Sequence, residues 1–190
     1  MIEIHAYHGW GFDGSFWDSL RVEIPNEILF KVADRGYFGG SFEPEFFDTV
    51  KTKIVFTHSF GLHWCPKEKL EQADILIIFN GFSDFLPGEF FDRRKEVKVL
   101  KRMHDQFKKA PELVLEAFYK NCFYPQKAEI KKQRWMNESL LAKDLIALKK
   151  TKFVKPKTDI EILSLSGDED IIAKNARTLE LVEQNKVDKS

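Results

Sequence analysis

The segment Ala73 to Phe79 constrains the fold most: apart from Asp74 it is apolar, it has strand length, and Asn80-Gly81 closes it. Such a run reads as a strand buried on both faces, the kind found in parallel sheets covered by helices. Ile2 to Tyr7, Ile28 to Val32 and Lys53 to Thr57 read as further strands, and Ile160 to Leu165 as a late one. Helical stretches are expected between them. Ser15 reads as the N-cap of a helix through about Val22, a short helix is expected from Pro44, and a closing helix from Ile171 to about Gln184. Strands alternating with helices predict an α/β class with a mostly parallel sheet and helices on both faces.

From Arg93 to about Lys150 the pattern changes. Apolar residues recur at helical spacing, as in Val97, Leu100, Met103 and Phe107, then Leu115, Phe118 and Cys122, then Leu141, Leu145 and Leu148. The reading is a helical insertion over residues 85–152, with residues 1–84 and 153–190 forming the α/β core. Charge follows the same division. The whole chain holds 30 basic and 30 acidic side chains, yet residues 93–152 carry 17 Lys and Arg against 7 Asp and Glu. A basic insertion on an acidic body can steer an acidic partner. The acidic body would repel phosphate, so no nucleic-acid partner is expected.

No apolar leader or membrane-spanning run is present near the start, and the two cysteines, Cys65 and Cys122, lack CxxC spacing. A reducing, cytoplasmic location is expected, with no membrane association. His63 with Cys65 is too sparse for a metal site, so neither metal nor cofactor is expected.

Thr57-His58-Ser59-Phe60-Gly61 follows the third strand directly. It matches the G-x-S-x-G elbow, in which a strand turns sharply into a helix and presents an exposed serine, except that Thr57 replaces the first glycine. An ordinary strand-ending serine is the competing reading. A second glycine-rich turn, His8-Gly9-Trp10-Gly11, follows the first strand. Acyl transfer needs N–H donors aimed at an oxyanion. In this order the backbone N–H groups of Trp10 and Phe60 are the candidates. On the late loop Gly167-Asp168-Glu169-Asp170, a carboxylate could orient a histidine, with Asp170 preferred over Asp168; these acids could equally cap the helix that follows.

The segments HGWGFDGSFW (His8 to Trp17), HSFG (His58 to Gly61), VLKRMHDQFKKAPELVLEAFYKNC (Val99 to Cys122) and GDEDII (Gly167 to Ile172) carry a resemblance that spans the chain. The sequence resembles the α/β-hydrolase esterases of biotin synthesis, the pimeloyl-acyl-carrier-protein methyl ester carboxylesterases. The resemblance implies an α/β-hydrolase fold with a helical lid, Ser59 as nucleophile, Trp10 and Phe60 as oxyanion donors, and Asp170 as the acid of the triad. It implies hydrolysis of the methyl ester of a pimeloyl group borne on acyl carrier protein, by way of an acyl-enzyme. The basic side chains implied to engage that carrier are Arg93, Arg94, Lys98, Lys101, Arg102, Lys108 and Lys109. A general esterase or thioesterase on small acyl groups is the alternative, as is a truncated relative that only binds the carrier.

One departure stands out. The fold's order is nucleophile, acid, histidine, but the five histidines here are His5, His8, His58, His63 and His104, all before Asp170. The expectation is a chain without the fold's final strand and helix. The base is then lost, replaced by a resident histidine such as His104, or supplied by another chain.

Overall fold

A computed structural model describes residues 1–86, 88, 90–124, 126, 134–156 and 159–167 of the 190-residue chain. In chain order these form β1 (Ile2–Tyr7), a 3-10 turn (Gly14–Trp17), α1 (Asp18–Arg21), β2 (Ile28–Ala33), β3 (Thr52–His58), α2 (Gly61–Trp64) and α3 (Lys67–Gln72). There follow β4 (Ile75–Phe79), α4 (Phe90–Phe107), α5 (Pro111–Cys122), α6 (Glu138–Ala147) and β5 (Glu161–Leu165). The strands make one parallel sheet in the order β2-β1-β3-β4-β5. The chain leaves β1 toward β2 on one side and returns to β3 on the other. That reversal creates a crevice at the carboxyl ends of β1 and β3, where open α/β sheets bind ligands.

One face of the sheet is buried under α2, α3 and the segment around Phe46, with Tyr7, Val55, Leu62, Leu76 and Ile78 in its core. The other face packs Ile4, Ala6 and Phe56 against Trp17. Burial of β4 is one-sided, contrary to the expectation from its apolar run. Leu76 and Ile78 are fully buried, while Ile75, Ile77 and Phe79 on the opposite face are only half-buried. A third core unites α4, α5 and α6 with the tops of the strands, through Leu100, Phe107, Leu115, Leu141 and Leu145 packed with Trp10 and Phe60.

Two local expectations are corrected. The first helix is capped by Asp13, whose side chain accepts the Ser15 N–H, so Ser15 lies inside the 3-10 turn rather than at its cap. No helix starts at Pro44. Residues 42–50 instead run as an irregular strap over β1, because buried polar groups on that strand must be satisfied. Glu3 accepts the Phe47 N–H at 3.0 Å, Tyr7 donates its hydroxyl to Glu43, and His5 stacks on Phe46 at 3.7 Å. The closing helix expected from Ile171 lies outside the described residues.

Candidate active site

Ser59 sits where β3 gives way to α2, and its backbone is left-handed, with φ of 51°. A side chain other than glycine rarely adopts that conformation, and it persists only where the surroundings enforce it. Here two contacts do so. The Ser59 N–H still belongs to the sheet, donating to the Phe79 carbonyl at 2.9 Å. Two residues on, Gly61 passes so close to β1 that a Cβ there would lie 2.3 Å from the Tyr7 carbonyl oxygen. Glycine at 61 is therefore needed for the elbow to seat. Thr57, at the first-glycine position, is fully buried, and its hydroxyl has no hydrogen-bond partner among the described residues.

The turn after β1 approaches this elbow closely. A Cβ on Gly9 would lie 2.9 Å from His58 Nδ1 and 3.1 Å from Ser59 Cβ, and Gly11 is left-handed with φ of 75°. Among the described residues, the backbone N–H groups of Trp10 and Phe60 have no acceptor. Trp10, Ser59 and Phe60 together line a cavity of about 610 Å³ whose other walls include Phe82, Phe85, Leu100, Val114, Phe118 and Leu145. The volume is ordinary for a small-molecule site. The arrangement offers a hydroxyl on a strained turn, two free N–H donors and an apolar chamber. Those are the parts needed to add an oxygen nucleophile to a carbonyl and hold the anion formed.

Ser59 also borders a second hollow of about 740 Å³, walled by Phe12, Phe16, His58, Phe79, Asn80 and Phe118. Ser166 and Gly167 reach it too, and the Gly167 N–H donates to Asn80 Oδ1 at 2.9 Å. The loop after β5 thus begins beside the serine. Asp168 and Asp170 lie outside the described residues.

All five histidines are accounted for. His5 pairs with Glu3 at 2.9 Å, and burial pushes its imidazole down. His8 accepts the Arg35 N–H on Nε2 at 3.1 Å and donates from Nδ1 to the Gly9 carbonyl at 2.9 Å, so both ring nitrogens are engaged. His58 stacks on Phe16 at 4.0 Å, and burial, with a smaller contribution from His8, depresses it to about 3. His63 donates to the Phe82 carbonyl at 2.9 Å, and burial depresses it to about 4. His104 lies on α4 beside Asp105 and lines neither cavity. No histidine is hydrogen-bonded to the Ser59 hydroxyl.

The basic residues divide into two kinds. Arg93 is committed to Asp84 at 3.3 Å, a buried carboxylate that also has Lys152 at 3.8 Å and so ties α4 to the segment that follows α6. Arg94, Lys98, Lys101, Arg102, Lys108 and Lys109 are exposed on or just after α4, as is Lys95, which the sequence reading left out. Lys109 also stands at the cavity, with Glu96 and Gln106. Missed as well was the cluster in which Asp144 on α6 accepts two hydrogen bonds from Arg35, at 2.8 and 3.0 Å, and one from the Tyr37 hydroxyl at 2.8 Å. Nothing local in the sequence signals it, because Asp144 lies more than 100 residues from both Arg35 and Tyr37.

No described helix is long and apolar enough to cross a membrane. No protein-family model matches the sequence, and no curated protein matches it significantly. Solved structures do. The bottromycin epimerase BotH, in complex with bottromycin A2, superposes with a TM-score of 0.56 at 11% identity over 88% of this chain and 73% of that one. BioG from Haemophilus influenzae gives 0.53 at 14% identity over 92% of both chains. ClbQ from the colibactin NRPS/PKS pathway gives 0.53 at 11% identity over 93% of this chain and 83% of that one. At such identities the likeness is one of fold, and with the parallel order β2-β1-β3-β4-β5 and the elbow at the end of β3, the chain has the α/β-hydrolase fold.

Proposed function

We propose that the chain is a serine carboxylic-ester hydrolase acting on a medium-length acyl chain delivered by an acyl carrier protein, with the pimeloyl methyl ester as substrate. The observation that carries this reading is the left-handed Ser59, which lines one apolar cavity together with Trp10 and Phe60, whose N–H groups have no acceptor among the described residues, and with Lys109 of the basic helical segment. The identity of the substrate rests on the sequence resemblance.

In this reading the acyl chain lies along Phe82, Phe85 and Leu100 while its ester carbon meets Ser59 Oγ. Attack forms the tetrahedral intermediate, and the Trp10 and Phe60 N–H groups take its oxyanion. Methanol leaves, and water then releases the acid. The exposed cations of α4, at Arg94, Lys98, Lys101 and Arg102, with Lys108 and Lys109 beyond it, meet the acidic carrier. Arg93 contributes to the field while tied to Asp84. Asp170 is the proposed acid of the triad.

The serine proton is the slow point. His58, which shares a hollow with Ser59, is held near 3 and is too weak a base at neutral pH. Turnover through Ser59 is therefore expected to be slow, with the serine proton passing to solvent rather than to a positioned base. The same observation favours a second reading, in which the chain binds the acyl carrier without hydrolysing its cargo.

The test is hydrolysis of a pimeloyl-carrier methyl ester by the wild type and by Ser59→Ala. A slow rate that vanishes in Ser59→Ala supports the first reading, and equal rates in both overturn it. Carrier binding with no rate from either protein selects the second.

A further inference from the structure

The turn that carries the Trp10 N–H is gripped from the helices α5 and α6 as well as from α2. On the α2 side, Trp64 donates its indole N–H to the His8 carbonyl at 2.8 Å. The opposite side has three fasteners. The Trp10 indole N–H donates to the Leu141 carbonyl of α6 at 2.9 Å. The Tyr119 hydroxyl of α5 donates to the Gly11 carbonyl. Asp144 of α6 holds the Arg35 guanidinium, and the Arg35 backbone N–H in turn donates to His8 Nε2 at 3.1 Å.

The Tyr119 contact is the most direct of the three upon the peptide chain of the turn. Gly11 is left-handed, and a Cβ there would lie 3.3 Å from both Leu115 and Phe118, so α5 rests on the turn with no space between them. Phe118 and Asn121 of the same helix line both cavities that meet at Ser59. A ligand in either cavity therefore touches the element that holds Gly11, one residue from the Trp10 N–H. Catalytic geometry is sensitive at this scale, since a displacement of about 1 Å can cost 10²-fold.

We infer that the helical insertion sets the position of the oxyanion turn, with the Tyr119 hydroxyl as a positioning group for the Trp10 N–H. The inference rests on the serine-hydrolase reading and deepens it: binding between α4 and α5 acts on turnover as well as on affinity.

The experiment compares wild type, Tyr119→Phe and Lys120→Gln. Tyr119→Phe removes one oxygen and keeps the ring. Lys120→Gln breaks only the exposed pair with Glu116 on the same helix and serves as control. Each protein is assayed for kcat and KM on a medium-chain ester, and for affinity toward the matching trifluoromethyl ketone and the matching secondary alcohol. In the ketone adduct Ser59 Oγ bonds to the carbonyl carbon, the π pair moves to oxygen, and the serine proton passes to solvent. The adduct thus carries the oxyanion that the alcohol lacks. Removing an oxyanion donor outright costs 10²- to 10³-fold, so displacing one is expected to lower kcat about 10-fold. Tyr119→Phe should weaken the ketone by the same factor, with KM and alcohol affinity within about 2-fold and Lys120→Gln matching wild type. Equal changes for ketone and alcohol, or no change in either, overturn the inference alone. A wild type that forms no Ser59-dependent ketone adduct overturns the hydrolase reading along with it.

Discussion

Replacing Gly61 by alanine tests whether the elbow is seated against β1 as described. The added Cβ would lie 2.3 Å from the Tyr7 carbonyl oxygen, 2.9 Å from its carbon and 3.0 Å from the His8 oxygen, where ordinary contact begins near 3.4 Å. All three obstacles are backbone. Tyr7 cannot retreat, because it is paired with Ala33 on one side and Thr57 on the other. The elbow must therefore move by about 1 Å. Overpacking of this kind costs typically 1–3 kcal/mol, and a clash with fixed backbone belongs at the upper end, about 3 kcal/mol. Alanine restricts the unfolded chain and returns up to about 1 kcal/mol. The net loss is about 2 kcal/mol, which for a chain of this size lowers Tm by roughly 4–8 °C. Ser59 moves with the elbow, and its reaction with a fluorophosphonate should slow about 10²-fold. Thermal melts and labelling rates measure the two effects. A Gly61→Ala protein with unchanged Tm and labelling would refute the close approach of the elbow to β1.

Three further outcomes are expected. His58 and His63 are held near 3 and 4, below their ordinary 6.5, so between those values the unfolded chain binds protons that the native chain does not. Stability is then intact above pH 6.5 and falls with pH below it; His58→Phe should reduce the slope of unfolding free energy by about 1.4 kcal/mol per pH unit between about pH 6 and 4, and an unchanged slope in urea titrations would count against a buried neutral His58. Reversing Lys98, Lys101 and Arg102 to glutamate should raise KM for a carrier-borne ester at least about 10-fold at low salt and leave a small free ester unaffected, whereas equal effects on both would remove the carrier from α4. Asp144→Asn removes a buried charge from the half-exposed Arg35, and denaturant melts should show a loss of about 2–3 kcal/mol, smaller than for a fully buried pair because water reaches the guanidinium.

Strands were legible because their cause is local. The apolar runs ending at Tyr7, Phe79 and Leu165 give strands with those same last residues. Where a distant partner decides, local reading fails. The strap over β1 shows no helix at Pro44 because Glu43, Phe46 and the Phe47 N–H answer to Tyr7, His5 and Glu3, side chains about 40 residues earlier. One face of β4 is half-buried because what covers a strand is not encoded in its own apolar run.

The site divides in the same way. Ser59, Phe60 and Gly61 announce the elbow by spacing, and Gly9 and Gly11 mark the turn that brings Trp10 beside it. Arg35, Tyr37, Asp144 and Tyr119, which hold the insertion to that turn, join residues 107 to 109 positions apart and left no mark in the sequence. The histidine pattern was legible as a deficit, and the contacts of His8, His58 and His63 give it a physical form: engaged, too weak or turned to a carbonyl.

Whether Ser59 is a nucleophile is decided by intact-mass measurement after exposure to a medium-chain fluorophosphonate. A single adduct is expected on the wild type, formed as Ser59 Oγ displaces fluoride from phosphorus, and none on Ser59→Ala. An unlabelled wild type, or equal labelling of both proteins, would contradict it.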